Sequence, residues 1–129
     1  MHDSPYDDLL DRAIEAARGA GALVRDRRGA IGELRDKGLN DFVTEVDEDA
    51  QALIVECLCD GAPKIDVLAE EGADLDAAAR TVDGRRWIVD PIDGTTNFIQ
   101  QVPPYAVSIA LQDGEHIAAG VIYDIPHDD

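Results

Sequence analysis

Asp90-Pro91-Ile92-Asp93 sets two carboxylates three residues apart, just after the short apolar run from Arg85 to Val89. Pro91 fixes one φ angle and is expected to force the chain out of an extended strand, so that both acids converge in the bend. Two like charges about 4 Å apart at an effective dielectric near 20 repel by roughly 4 kcal/mol. A hard dication between them removes that penalty, and Mg²⁺ prefers oxygen donors of this kind. The next residues, Gly94-Thr95-Thr96-Asn97, read as a helix start with Asp93 as its cap. The free amides of Gly94 and Thr95 would point outward, and such a terminus holds phosphate readily. Gly94 also lets the backbone come close to an anion. Taken singly, Asp90 is explained as a turn residue and Asp93 as a cap. Together they offer a metal site beside an anion site, which is the combination phosphoryl transfer needs.

Other candidates are weaker on spacing alone. Glu70-Glu71 follows a separate predicted strand and could reach the same metal from there, but a glutamate pair before Gly72 is equally a solvated turn. Asp47 stands at the third position after Thr44, where a capping box explains it fully. Lys37 is a lone loop lysine. His2, His116 and His127 follow no ligand spacing and receive no role. Cys57 and Cys59, two apart, face different sides of a helix, so they are expected as free thiols in a reducing cytosol.

The elements that must position these residues follow from periodicity. Ser4-Pro5-Tyr6-Asp7 opens a helix in which Leu9, Leu10, Ala13, Ile14, Ala17, Leu23 and Val24 recur at helical spacing, with Arg25, Arg27 and Arg28 at its negative pole and Gly29 as its stop. Glu33 to Val43, with Lys37-Gly38, is expected to be a hairpin or loose loop. Thr44 then starts a second helix with the stripe Val46, Ala50, Leu53, Ile54, Cys57 and Leu58, ended by Gly61 and Pro63. Ile65, Val67 and Ala69 alternate as a strand, and Asp74 to Arg80 suit one or two helical turns. Tyr105, Val107, Ile109 and Leu111 alternate, Asp113-Gly114 turns, and Ile117, Ala119, Val121 and Tyr123 return. Two helices followed by several antiparallel strands predict an α+β arrangement, helices on one face of a mostly antiparallel sheet. A sheet that ends on an apolar strand with nothing over it looks incomplete, which points to a piece of a longer protein.

Composition narrows the function classes. The 129 residues include 28 acidic and 11 basic ones, for a net charge of −17. Such a surface repels nucleic-acid backbones and anionic membranes, so no nucleic-acid or membrane partner is expected. It suits a high-salt cytoplasm, where screening shortens self-repulsion to a few ångströms, or simply an acidic cytosolic protein. No apolar run approaches the roughly 18 residues of a membrane span, and the polar start Met1 to Pro5 does not read as a signal peptide. Hydrophobic residues make up 45% and aromatics 5%, so the core must be aliphatic and alanine-rich.

Trp87-Ile88-Val89-Asp90-Pro91-Ile92-Asp93-Gly94-Thr95-Thr96-Asn97-Phe98, supported by Asp41-Phe42-Val43-Thr44 with Asp47 and by Ala69-Glu70-Glu71-Gly72, resembles the inositol monophosphatase family. The likeness runs from the first helix to the Tyr105–Tyr123 hairpin, and the family belongs to the Mg²⁺-dependent, lithium-sensitive phosphatases. It implies that 1–129 is the N-terminal domain and first half of a layered αβαβα fold. It implies two or three Mg²⁺ ions in the complete enzyme, the first held by Glu70, Asp90 and the Ile92 carbonyl, the second by Asp90 and Asp93. It implies that Thr95 and Asp47 form a hydrogen-bonded pair which, with Glu70, orients the attacking water. Asp93, Gly94 and Thr95 would bind the substrate phosphate. Hydrolysis would be direct and in line, with no phosphoenzyme. The family's second half adds another aspartate and much of the sugar pocket, which these residues do not supply.

The implied substrate is a small phosphorylated polyol or sugar, with inositol monophosphate favoured by Thr95-Thr96-Asn97-Phe98. Fructose 1,6-bisphosphate, 3′-phosphoadenosine phosphates and histidinol phosphate remain open, as does a truncated, non-catalytic protein-binding module. A homodimer in the complete protein and a cytoplasmic location are the remaining implications.

Overall fold

The computed structural model describes residues 7–30, 39–59, 65–69 and 84–128. The Ser4 cap, the Lys37-Gly38 turn, the Gly61/Pro63 stop, Glu70-Glu71-Gly72 and the turns at 74–80 lie outside the described residues.

Helix α1 spans Asp7–Arg27, with Asp7 and Asp8 in its first turn and Arg25 and Arg27 in its last, the charge order that the helix dipole favours. A 3₁₀ turn, Arg28–Ala30, follows it. One face buries Leu9, Ala13, Ala16, Ala17, Ala20 and Val24. These side chains are small, so helix α2 (Leu39–Cys59) approaches closely, and a Cβ at Gly19 would lie 3.1 Å from Leu53. Arg27 pairs with Asp49 across the two helices at 2.5 Å.

The expected start of α2 at Thr44 is corrected. The helix begins at Leu39, and Thr44 to Asp47 lie inside it, so Asp47 is no capping residue. The reason is burial: the apolar stripe already begins at Val43 and continues through Val46, Ala50, Ile54 and Leu58, all buried. Tertiary packing of that longer face outweighs the local cap signal at Thr44.

The sheet has strand order β1-β2-β3-β4, with β1 at Asp66–Ala69, β2 at Arg85–Asp93, β3 at Ala106–Asp113 and β4 at His116–Asp124. β2, β3 and β4 are antiparallel neighbours, while β1 runs parallel to β2, with Ala69 opposite Val89. The sheet is therefore mostly antiparallel and the class α+β, as expected. Trp87, Val89, Val107, Ile109, Leu111 and Tyr123 turn inward to meet α1 and α2 and form the core with the helix stripes. Full burial of each aliphatic side chain contributes about 1.5–3 kcal/mol.

The hairpin between β3 and β4 turns on Gly114-Glu115, where Gly114 has φ 63°, a value suited to glycine at the first position of a tight turn. Ile117 departs from the expected alternation and is 60% exposed. Leu111 faces Ala119 but Gln112 faces Ile117, so a bulge at Ala118 turns Ile117 to the outer face. No helix among the described residues is long and apolar enough to cross a membrane.

Candidate active site

Residues three apart on an unbroken strand point to opposite faces of a sheet, because side chains alternate with a period of two. Asp90 and Asp93 escape this. Strand β2 does not leave the sheet at Pro91, contrary to expectation; it continues to Asp93 through a bulge. Asp90 lies opposite Ser108 and Asp93 opposite Ala106, so Pro91 and Ile92 together face Val107 alone. Ser108 and Ala106 share one face of β3, and directly opposed residues share a face, so the bulge brings both carboxylates to the same side. The extra residue is accommodated by burial: Pro91 and Ile92 both turn inward. Asp90 is half-buried, whereas Asp93 is exposed at the rim.

Helix α3, Thr95–Gln100, opens at Gly94 rather than at Asp93. Gly94 is left-handed, φ 92° and ψ 42°, and no side chain caps the helix, so the expected Asp93 cap is corrected. A Cβ at Gly94 would lie 2.8 Å from the Pro104 carbonyl oxygen and 3.4 Å from Tyr105 Cα. Both the dihedral angle and the close approach require glycine here. The Gly94 carbonyl accepts the Phe98 amide at 3.0 Å, and Phe98 meets Tyr105 edge to face with centroids 5.4 Å apart. Gln101, at φ 59°, ends the helix, and its amide donates to the Phe98 carbonyl.

The Thr95 hydroxyl donates to the Ile92 carbonyl at 3.1 Å. Asp47 sits half-buried beside the inward stripe of α2, and α2 packs on β2. Glu70, expected as the third carboxylate, lies outside the described residues, and β1 ends at Ala69 beside Val89. Among the described residues no three His, Cys, Asp or Glu side chains gather as a metal cluster. The donors that this segment carries, two carboxylates on one face and the Ile92 carbonyl with its second lone pair, are all hard oxygens, and in kind they fit Mg²⁺.

Two features of this corner carry no sequence signal that singles them out. Ser108 and Ala106 form the floor opposite the two aspartates, a pairing that depends on the bulge. Asn97 donates from Nδ2 to the Pro104 carbonyl at 2.9 Å, while its own carbonyl accepts the Val102 amide at 2.9 Å.

A two-helix layer on a mixed sheet, with paired strand-end aspartates beside a glycine-opened helix, defines an α+β protein with an oxygen-donor corner. The chain belongs to the inositol monophosphatase family, whose family model matches residues 6–129. It is 39% identical over 119 residues to the Nus factor SuhB of Escherichia coli, covering 90% of this chain and 43% of that protein. It is 37% identical over 120 residues to an inositol monophosphatase of Mesembryanthemum crystallinum, covering 93% of this chain and 44% of that protein. Among solved structures, the inositol monophosphatase of Anabaena (Nostoc) superposes with a TM-score of 0.76 at 33% identity, over 97% of this chain and 43% of that one. The chain thus spans less than half the length of the relatives it matches.

Proposed function

We propose that residues 1–129 form the N-terminal domain of a Mg²⁺-dependent phosphatase that hydrolyses a phosphate monoester of a small polyol or sugar, with inositol monophosphate as the preferred substrate. The observation that carries this reading is the β2 bulge, which sets Asp90 and Asp93 on one face immediately before Gly94. Glu70, Asp90 and the Ile92 carbonyl would hold one Mg²⁺, and Asp90 with Asp93 a second. Bound there, Mg²⁺ would neutralise phosphate charge and acidify water, which for so slow an uncatalysed hydrolysis is the main requirement. The chain's own residues do the rest. The amides of Gly94 and Thr95 donate to the phosphate, which Asp93 would meet through the metal it holds rather than directly. Asp47 and Glu70 orient the attacking water and receive its proton, and Thr95 joins them once its hydroxyl turns from Ile92. The proposed setting is cytoplasmic, and the complete protein is proposed to form a homodimer.

Phosphate release from inositol 1-phosphate by the complete protein, with and without Mg²⁺, tests this reading. Mg²⁺-dependent turnover is expected, and Asp93→Asn is expected to abolish it without lowering Tm. No turnover with every carboxylate intact, or undiminished turnover in Asp93→Asn, would overturn it. Parallel assays with fructose 1,6-bisphosphate and 3′-phosphoadenosine phosphate rank the substrates. The Nus-factor name of the Escherichia coli relative supports a second reading, a non-catalytic module for protein contact. The net charge of −17 speaks against a nucleic-acid backbone as the partner of such a module. Turnover separates the two readings.

A further inference from the structure

The bulge that aligns Asp90 with Asp93 is closed at its far end by a single register pair, Asp93 opposite Ala106. Whatever holds Ala106 there also holds the relative aim of the two carboxylates. The chain reaches Ala106 by leaving α3 at the left-handed Gln101 and returning through Pro103-Pro104-Tyr105. From the β4 side, Ala106 lies opposite Asp124 and the Ile125 amide donates to the Tyr105 carbonyl at 3.2 Å, and two further contacts pin the return from the α3 side. On the buried side Phe98 meets the Tyr105 ring, and both are almost fully enclosed. On the outer side Asn97 Nδ2 donates to the Pro104 carbonyl at 2.9 Å. That same carbonyl oxygen is the atom that lies 2.8 Å from where a Gly94 Cβ would be. The Asn97 backbone carbonyl takes the Val102 amide at 2.9 Å, so one residue grips the loop at both of its ends.

We propose that Asn97 is a positioning residue for the metal carboxylates. Its side-chain amide clasps Pro104 against Gly94, fixes the register of Ala106 opposite Asp93, and so sets the separation of Asp93 from Asp90. Asn97 itself touches neither metal nor substrate. The proposal rests on Asp90 and Asp93 as Mg²⁺ ligands. The Phe98–Tyr105 contact is buried and does not involve Asn97, so losing the outer clasp is expected to loosen the geometry while leaving the fold intact.

The test is Mg²⁺ affinity, read from the backbone amide shifts of Asp90, Ile92 and Asp93 in the full chain, together with Tm. Asn97→Ala removes the donor. Asn97→Asp keeps the shape, replaces the donor with an acceptor that repels the Pro104 carbonyl, and adds a negative charge. Both variants are expected to weaken Mg²⁺ binding by about tenfold, the usual effect of losing a group that orients a ligand, with Tm close to that of the unaltered chain. Asn97→Gln, which retains a donor, is expected to recover part of the loss. A charge effect alone would tighten Mg²⁺ in Asn97→Asp, so tightened binding overturns the proposal. So does unchanged affinity in Asn97→Ala, or a loss of affinity matched by a loss of Tm. Absence of any Mg²⁺ response in the unaltered chain would instead overturn the metal assignment itself, and the clasp with it.

Discussion

At Asp90 and Asp93 the chemistry rests on a parity. An odd spacing on a strand separates side chains, and only an extra residue on one strand reunites them. The same dependence on a few contacts appears at Tyr123, away from this corner. Its hydroxyl hydrogen-bonds both Arg25 and Asp128, and Arg25 Nε donates to the Ile125 carbonyl at 3.3 Å. Burial first, and then the hydrogen bond to Asp128, push the Tyr123 pKa above its ordinary value of 10.0, while the Arg25 charge pulls the other way. A raised pKa in the folded chain means that the neutral phenol is favoured there. That stability is fully present below pH 10 and is lost as the pH climbs through the folded value. Urea midpoints measured from pH 8 to 11 are expected to fall more steeply for the unaltered chain than for Tyr123→Phe. The variant should also lose about 1 kcal/mol at neutral pH with its hydroxyl. Parallel slopes would refute the assignment. Residue types were legible in the sequence at both places, since the Asp90–Asp93 pair and Gly94 stand out by spacing. The bulge, the Asn97 clasp and the direction of the Thr95 hydroxyl were not, because each depends on a partner strand or loop whose register no local pattern specifies.

The elements show where local signals yield to packing. Thr44 to Asp47 has the form of a cap, yet α2 begins at Leu39 because Val43 already belongs to the buried stripe. Gln112 and Ile117 pair through a bulge that breaks an otherwise clear alternation. In both cases the period was readable in the sequence, and the phase was decided by contacts distant along the chain. Helix α1 gives a quantitative case at Gly21. A glycine inside an exposed helix is ordinarily improved by alanine, by about 1 kcal/mol. Here a Cβ would lie 2.2 Å from Tyr123 Cε2 and 2.4 Å from Cδ2, atoms in the body of a buried ring. Overpacking of this kind costs about 1–3 kcal/mol and outweighs the propensity gain. Gly21→Ala is therefore expected to lower Tm, read by circular dichroism, and a raised Tm would show that α1 and β4 separate more easily than their packing indicates.

For the whole molecule, the layer order was legible because helical and strand periods fall in separate stretches of the chain. The parallel pairing of β1 was not, since alternation in Ile65, Val67 and Ala69 says nothing about direction. The net charge of −17 acts at this scale too. Raising NaCl from 0.1 to 1 M shortens the screening length from about 10 to about 3 Å, which relieves self-repulsion of the compact state. Tm is expected to rise over that range, and a flat or falling Tm would mean that the acidic residues are already compensated by their neighbours.

The oxygen-donor corner is tested most directly by titrating Mg²⁺ into the chain while following its backbone amides. Saturable shifts centred on Asp90 to Thr95, absent in Asp93→Asn, are the predicted result. Shifts scattered over the acidic surface, or unchanged at Asp90 to Thr95 in Asp93→Asn, would contradict the assignment of Asp90 and Asp93 as metal ligands.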